Sequence, residues 1–173
     1  EPIAQRIFDP ALAGGTLLDI GIYNLFIALS ILGKPQTIDA VMTPAHTGVD
    51  EQCAVTMQYN NGAIAQLFST FTTNLATEAD IRGTSGRIRL SHRFYAPEAT
   101  IEYYPGWVES KQIIEVPKEE GWGYQYQAKH VQECLQHGLS ESTVTTFADT
   151  MLLIETMDEI RRKAGIVYDA DKC

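Results

Sequence analysis

The stretch GGTLLDIGIYNLFIALSILGK, residues 14–34, decides how the chain is read. Nearly every position is apolar, the pattern of a helix buried on most sides. Yet Asp19 sits in the first turn, and Tyr23 follows four residues later. Gly14-Gly15 gives way to Thr16, a competent N-cap, and the spacing predicts one helix running to Leu32. Gly33 is its expected C-cap, and Lys34-Pro35 its stop. At 100° per residue, Asp19, Tyr23 and Ser30 fall within about 40° of one another and form a narrow polar seam. Gly21 lies opposite, where its missing side chain permits close packing against a sheet.

Downstream come short runs rich in β-branched and aromatic residues: Ile38–Thr43, Cys53–Tyr59, Ala63–Phe71, Glu78–Arg82, Arg87–Ser91, Thr100–Tyr104 and Lys111–Val116. QYNNGAIAQ and RGTSGRIRL carry glycine-bearing turns between alternating runs, a hairpin signal. In RIRL, Arg87 and Arg89 should face water, and Ile88 and Leu90 the core. Neither face of AIAQLFSTF is strongly polar, which predicts a sheet covered by helices on one side and by a second protein surface on the other. YQAKHVQECLQHG and FADTMLLIETMDEIRRKAG return to helical spacing, with Gly138 and Gly165 as C-caps and Arg161–Lys163 suited to a helix C-terminus. The order predicts an α+β fold: an open, largely antiparallel β-sheet with helices packed on one face, in a single domain over residues 1–173.

Composition narrows the partners. Thirteen Lys and Arg against 22 Asp and Glu give a net charge of −9, with no basic run, which argues against nucleic acid or an anionic membrane as partner. Three scattered cysteines do not make a disulfide framework and predict a reducing, cytoplasmic setting. The longest apolar run, Ile20–Leu32, is interrupted by Gly21, Asn24 and Ser30 and is shorter than the roughly 20 residues a spanning helix needs. The start, EPIAQRIFDP, shows no signal-peptide core and no methionine, as expected of a piece of a longer chain.

Two accounts of the polar seam compete. In the first, Thr16 and Asp19 make a capping box, the helix dipole favours the acid, and Tyr23 is a core aromatic whose hydroxyl finds a backbone partner. In the second, the seam lines a cleft. A phenol, with its reference pKa near 10, then serves as general acid only if a nearby cation makes the ionised form accessible. Spacing alone favours the first.

RIFDPALAGGTLLDIGIYNL resembles the segment that opens the C-terminal domain of the glucose–fructose oxidoreductase, inositol dehydrogenase and MocA family of NAD(P)-dependent enzymes. IRGTSGRIRL resembles that domain's sheet hairpin. GYQYQAKHVQECLQHGLSES and MDEIRRKAGI resemble its closing helices. Tyrosine at 23 and the AKHV-x-ECL stretch point to the branch of dimeric dihydrodiol dehydrogenase and D-xylose dehydrogenase. The resemblance implies hydride transfer between a nicotinamide cofactor, NAD or NADP, and a sugar, polyol or diol. Tyr23 would exchange a proton with the substrate oxygen, and Asp19 would orient the substrate. It also implies a homodimer through the exposed sheet face. The family's Gly-rich phosphate loop and Glu-Lys-Pro lysine are missing; VPKEEG has a different order. The isolated chain is therefore expected neither to hold a dinucleotide tightly nor to turn over. A non-catalytic oligomerisation or interaction domain of the same fold is the alternative.

The remaining constellations are fainter. His130, Cys134 and His137 share a helix face at metal-ligand spacing, against a packed cysteine between solvated histidines. Trp122 and Tyr124, with Tyr126, could stack on substrate carbons or anchor a loop. Arg6 could reach the cleft or simply be solvated. EYYPGW, residues 102–107, reads as an aromatic turn.

Overall fold

The computed structural model describes residues 6–107 and 110–172. They fall into two compact units, one of residues 6–74 and 145–172 and the other of residues 75–107 and 110–144.

The first unit starts with a single 3-10 turn, Pro10–Leu12, whose N-cap Asp9 accepts from the Ala11 N–H at 2.9 Å. The chain then doubles back, and the Gly14 and Gly15 N–H groups donate to Asp9 O and Ile7 O at 2.9 and 2.8 Å. A Cβ on Gly14 would sit within 2.9 Å of backbone atoms of Ile7 and Asp9, so only glycine fits there. The expected helix follows, but not as one regular cylinder. Thr16 is already helical, Leu17–Gly21 form a wider π-turn, and α1 runs from Ile22 to Leu32. Gly33, at φ +72°, ends it as expected, its N–H bonded to Leu29 O at 2.8 Å.

β1 (Thr37–Pro44), β2 (Asp50–Gln58) and β3 (Ile64–Thr70) form an antiparallel sheet in that order. Ala40, Val55 and Leu67 pair across its inner face, and Val41, Ala54 and Phe68 across its outer face. Helix α3 (Phe147–Ala164) lies against β1 and α1. Its start carries the capping box that sequence spacing had suggested for Thr16: Thr146 and Asp149 bond each other's backbone N–H groups. Gly165, at φ +75°, closes it. The core beneath joins Leu17, Leu25 and Ala28 to Ile38, Val55 and Met57 of the sheet and to Met157 and Ile160 of α3.

One expectation needs correction. Counted from Pro10, the 23 residues to Leu32 are long and apolar enough to cross a bilayer by length and composition. In the fold that stretch is broken into a 3-10 turn, a π-turn and a helix, and Leu17, Leu25, Ala28 and Leu29 are buried.

The second unit is a four-stranded antiparallel sheet of β4 (Ala79–Gly83), β5 (Gly86–Ser91), β6 (Thr100–Pro105) and β7 (Gln112–Ile114), in that order, with helix α2 (Tyr124–Gln136). Every predicted strand is present, divided between two sheets. Arg87 and Arg89 share a face, but that face is an ion-pair ladder, not a simple solvated side. Arg87 binds Asp80 at 2.7 Å, Arg89 binds Glu78 at 2.5 Å, and Lys111 binds Glu102 at 2.5 Å.

Ile160 is wholly buried, so Ile160→Ala should lower unfolding free energy by about 2–5 kcal/mol. Val41→Ala, on the outer face at 69% exposure, should change it by under about 0.5 kcal/mol. Urea unfolding of both variants checks the assignment of inner and outer faces; equal effects would contradict it.

Candidate functional site

The seam on the first helix opens outward. Tyr23 is 42% exposed, and the Asp19 side chain retains 23% of its surface. Asp19 does not cap its helix. Its Oδ1 accepts from Nη2 of Arg6, whose side chain is itself half exposed. Ser30, the third member of the predicted seam, turns its hydroxyl back onto Phe26 O at 2.7 Å and so serves its own helix. Asn24 Nδ2 donates to Phe68 O at 3.1 Å and ties α1 to β3.

Beneath the seam lies a buried polar group that sequence reasoning missed. Asp50, at the head of β2, is 0% exposed, and its Oδ2 accepts from Thr16 Oγ1 and from the Leu17 N–H, both at 2.7 Å. Ser69 of β3 donates to Thr16 Oγ1 at 3.1 Å. Tyr168 Oη donates to Gly14 O at 2.5 Å from the far end of the chain. Thr16 is therefore a donor to a carboxylate 34 residues away, not a cap for its own helix. The only visible hint was an acid opening the apolar strand VDEQCAV.

Burial pushes the Asp50 carboxyl above its ordinary range, against the pull of the Thr16 and Leu17 hydrogen bonds. Burial, and secondarily the Asp50 charge, push the Cys53 thiol and the Tyr168 phenol each up to about 12. The polar floor thus holds groups whose ionisation burial disfavours, while the seam above it meets solvent.

The other candidates belong to the second unit. Trp122 and Tyr124 are 81% and 73% exposed. Tyr126 anchors its loop, its Oη accepting from the Glu119 N–H at 2.7 Å. His130 Nε2 lies 2.8 Å from Ser142 Oγ and 3.5 Å from Cys134 Sγ, whereas the His137 ring bonds Glu133 O at 2.7 Å. The three side chains do not converge. Among the described residues no cluster of three or more His, Cys, Asp or Glu side chains is arranged to hold a metal ion. Of the EYYPGW stretch, Tyr104 bonds Glu102 at 2.8 Å and Trp107 is 92% exposed.

Residues 2–89 match the model of the GFO/IDH/MocA C-terminal domain. The chain is 36% identical to trans-1,2-dihydrobenzene-1,2-diol dehydrogenase of Sus scrofa, over 97% of its own length and 52% of that protein. It is 34% identical to the Homo sapiens enzyme, over 96% and 51%. It therefore spans about half the length of the curated relatives it matches. An aldose-aldose oxidoreductase from Caulobacter crescentus, complexed with glycerol, superposes with a TM-score of 0.79 at 22% identity, covering 95% of this chain and 50% of that one. A 3-ketoreductase from Actinomadura kijaniata, in complex with NADP and TDP-benzene, gives 0.75 at 19% identity, over 94% and 50%. At such identities the two structures establish the fold.

The buried carboxyl makes stability depend on pH in a fixed direction. Because Asp50 binds its proton more tightly folded than unfolded, its contribution is whole below pH 3.8 and declines as pH rises through the folded value. Asp50→Asn should remove that decline, so the difference in urea midpoint between the variant and the parent chain should shift in the variant's favour from acid to neutral pH. A constant difference would contradict a raised Asp50.

Proposed function

The chain belongs to the GFO/IDH/MocA family, and from that premise we propose that it is the C-terminal substrate-binding and dimerisation domain, residues 1–173, of an NAD(P)-dependent oxidoreductase. Its substrate class is a sugar, polyol or dihydrodiol-like molecule presenting a hydroxyl or carbonyl. One observation carries this reading. Asp19 and Tyr23 stand one turn apart on the open side of a helix whose other side is core.

Tyr23 exchanges a proton with the substrate oxygen at its phenol. Asp19 accepts hydrogen bonds from substrate hydroxyls, and the guanidinium of Arg6 holds that carboxylate in place. In the second unit, taken by itself, Trp122 and Tyr124 present exposed rings. The nicotinamide, when bound, supplies or takes up the hydride. The described residues of the first unit offer little to hold the dinucleotide. The start of α3 is filled by its own capping box, and the Leu17 N–H by Asp50, so neither helix start in the first unit is open to a pyrophosphate. The isolated chain is accordingly inactive, and the cofactor is held by a further domain.

The outer face of the three-stranded sheet, where Val41, Ile64 and Phe68 are 69%, 62% and 43% exposed, is the homodimer contact. Cys53 and Cys134 are free and buried, in keeping with a cytoplasmic protein. A non-catalytic interaction domain would use the same face, but would have no need of the outward-facing Arg6–Asp19 pair.

In the full-length enzyme, Tyr23→Phe should lower kcat by roughly 10²–10⁴-fold with the fold intact by circular dichroism. Full activity in that variant would sink the site. Independently, replacing Val41 and Phe68 together by Asp should convert a dimer to monomer in sedimentation velocity; a dimer unaffected by both would move the contact elsewhere.

A further inference from the structure

We propose that Asp50 is the positioning residue of this site: from the head of β2 it holds the π-turn from below and so sets where Asp19 and Tyr23 meet the substrate. The proposal rests on the function assigned above and deepens it.

The first N–H groups of a helix have no partner within the helix and are ordinarily met by the side chain just before it. Here that side chain, Thr16, gives its proton away, and the Leu17 N–H is met by a carboxylate on another element, 33 residues on. The start of the helix is therefore registered to the sheet, not to its own chain. Ser69 extends the connection, its O–H donating to Thr16 and Thr16 in turn to Asp50, so strands β2 and β3 grip the same turn. A π-turn takes one residue more than an α-turn. Whatever stabilises it at Leu17–Gly21 fixes the rotation of everything after Gly21, Tyr23 included, relative to Asp19 inside it.

Two features show that this hold is kept at a cost. Among the described residues Asp50 Oδ1 has no hydrogen-bond partner, although the residue is 0% exposed. A buried unpaired carboxylate oxygen is unfavourable, and a serine or asparagine could cap a helix without it. In addition, Gly15, at φ +114°, passes so close to Asp50 Oδ1 that a Cβ there would overlap it. The chain thus gives up both a side chain and a hydrogen bond to keep an acid at this point. Such local conflicts concentrate at functional sites.

The test uses the full-length enzyme and four variants. In Asp50→Ala, kcat should fall on the order of 10- to 100-fold with KM within about threefold, the mark of a misplaced reacting group. Asp50→Asn keeps an acceptor for Leu17 and should recover most of that loss. Thr16→Val, which keeps shape but removes the donor to Asp50, should lower kcat in the same direction, and it serves if Asp50→Ala does not fold. A folded Asp50→Ala with unchanged kcat, or a loss confined to KM, overturns the proposal, as does Thr16→Val at full kcat. Tyr23→Phe runs in parallel. If it is inactive while Asp50→Ala is normal, the positioning role fails and the site stands; if it is fully active, the site itself fails.

Discussion

The structure depends on a carboxylate taken out of water to hold the start of a helix. Asp50 satisfies the Leu17 N–H and Thr16 hydroxyl from the first residue of the central strand, and much of the first unit is arranged around that contact. Gly14 must be glycine because the backbone of Ile7 and Asp9 closes over it. Gly15 must be glycine because the acid lies against it. Gly21 lets the π-turn settle on Ser69, where a Cβ would press to within 3.2 Å of the hydroxyl. Tyr168 then brings the end of the chain to the same place through Gly14 O.

Above this floor the same helix carries opposite demands on its two sides. Leu25, Ala28 and Leu29 are buried, which anchors the cylinder through apolar area. The Arg6–Asp19 pair is exposed enough that its contribution to stability is small. Its importance is geometric: the Arg6 guanidinium fixes where the Asp19 carboxylate stands on the outer side of the helix. Tyr23, next along, presents a phenol to solvent from a helix that cannot rotate without breaking its contacts with β3 and α3.

Much of the fold was legible in the sequence because its signals are local. All seven strands follow from alternation and β-branched content, and the hairpins from glycine-bearing turns: Gly62 closes one at φ +85°, and Gly83 pairs with Gly86 in the other. The seam residues Asp19 and Tyr23 were visible because they are polar exceptions on an apolar helix. What escaped was non-local or too subtle for spacing. An α-turn and a π-turn fit the same apolar pattern, so the widened turn left no trace. The T-L-L-D spacing imitated a capping box because nothing local reveals that Thr16 donates across 34 residues, or that Tyr168 reaches back 154. The His130, Cys134 and His137 face had the angular spacing of ligands, but spacing on a helix does not set where the rings point, and His137 points at its own backbone.

The two acids at this helix start, Asp19 and Asp50, illustrate how environment divides one chemistry into two tasks. Asp19 has solvent and a guanidinium beside it, and its side chain pairs with Arg6 instead of holding the helix. Asp50 has neither solvent nor a cation, so burial drives its carboxyl towards the protonated form, and no substrate can touch it. Each could do the other's work only by exchanging surroundings. A substrate-facing acid that also capped the helix would shift the helix whenever it bound ligand, and a buried acid that also met substrate would need a channel through the core. Separating an open acid from a buried one by 31 residues of sequence, yet at the same turn of structure, leaves the Asp19 side chain outward while Asp50 holds the backbone beneath it.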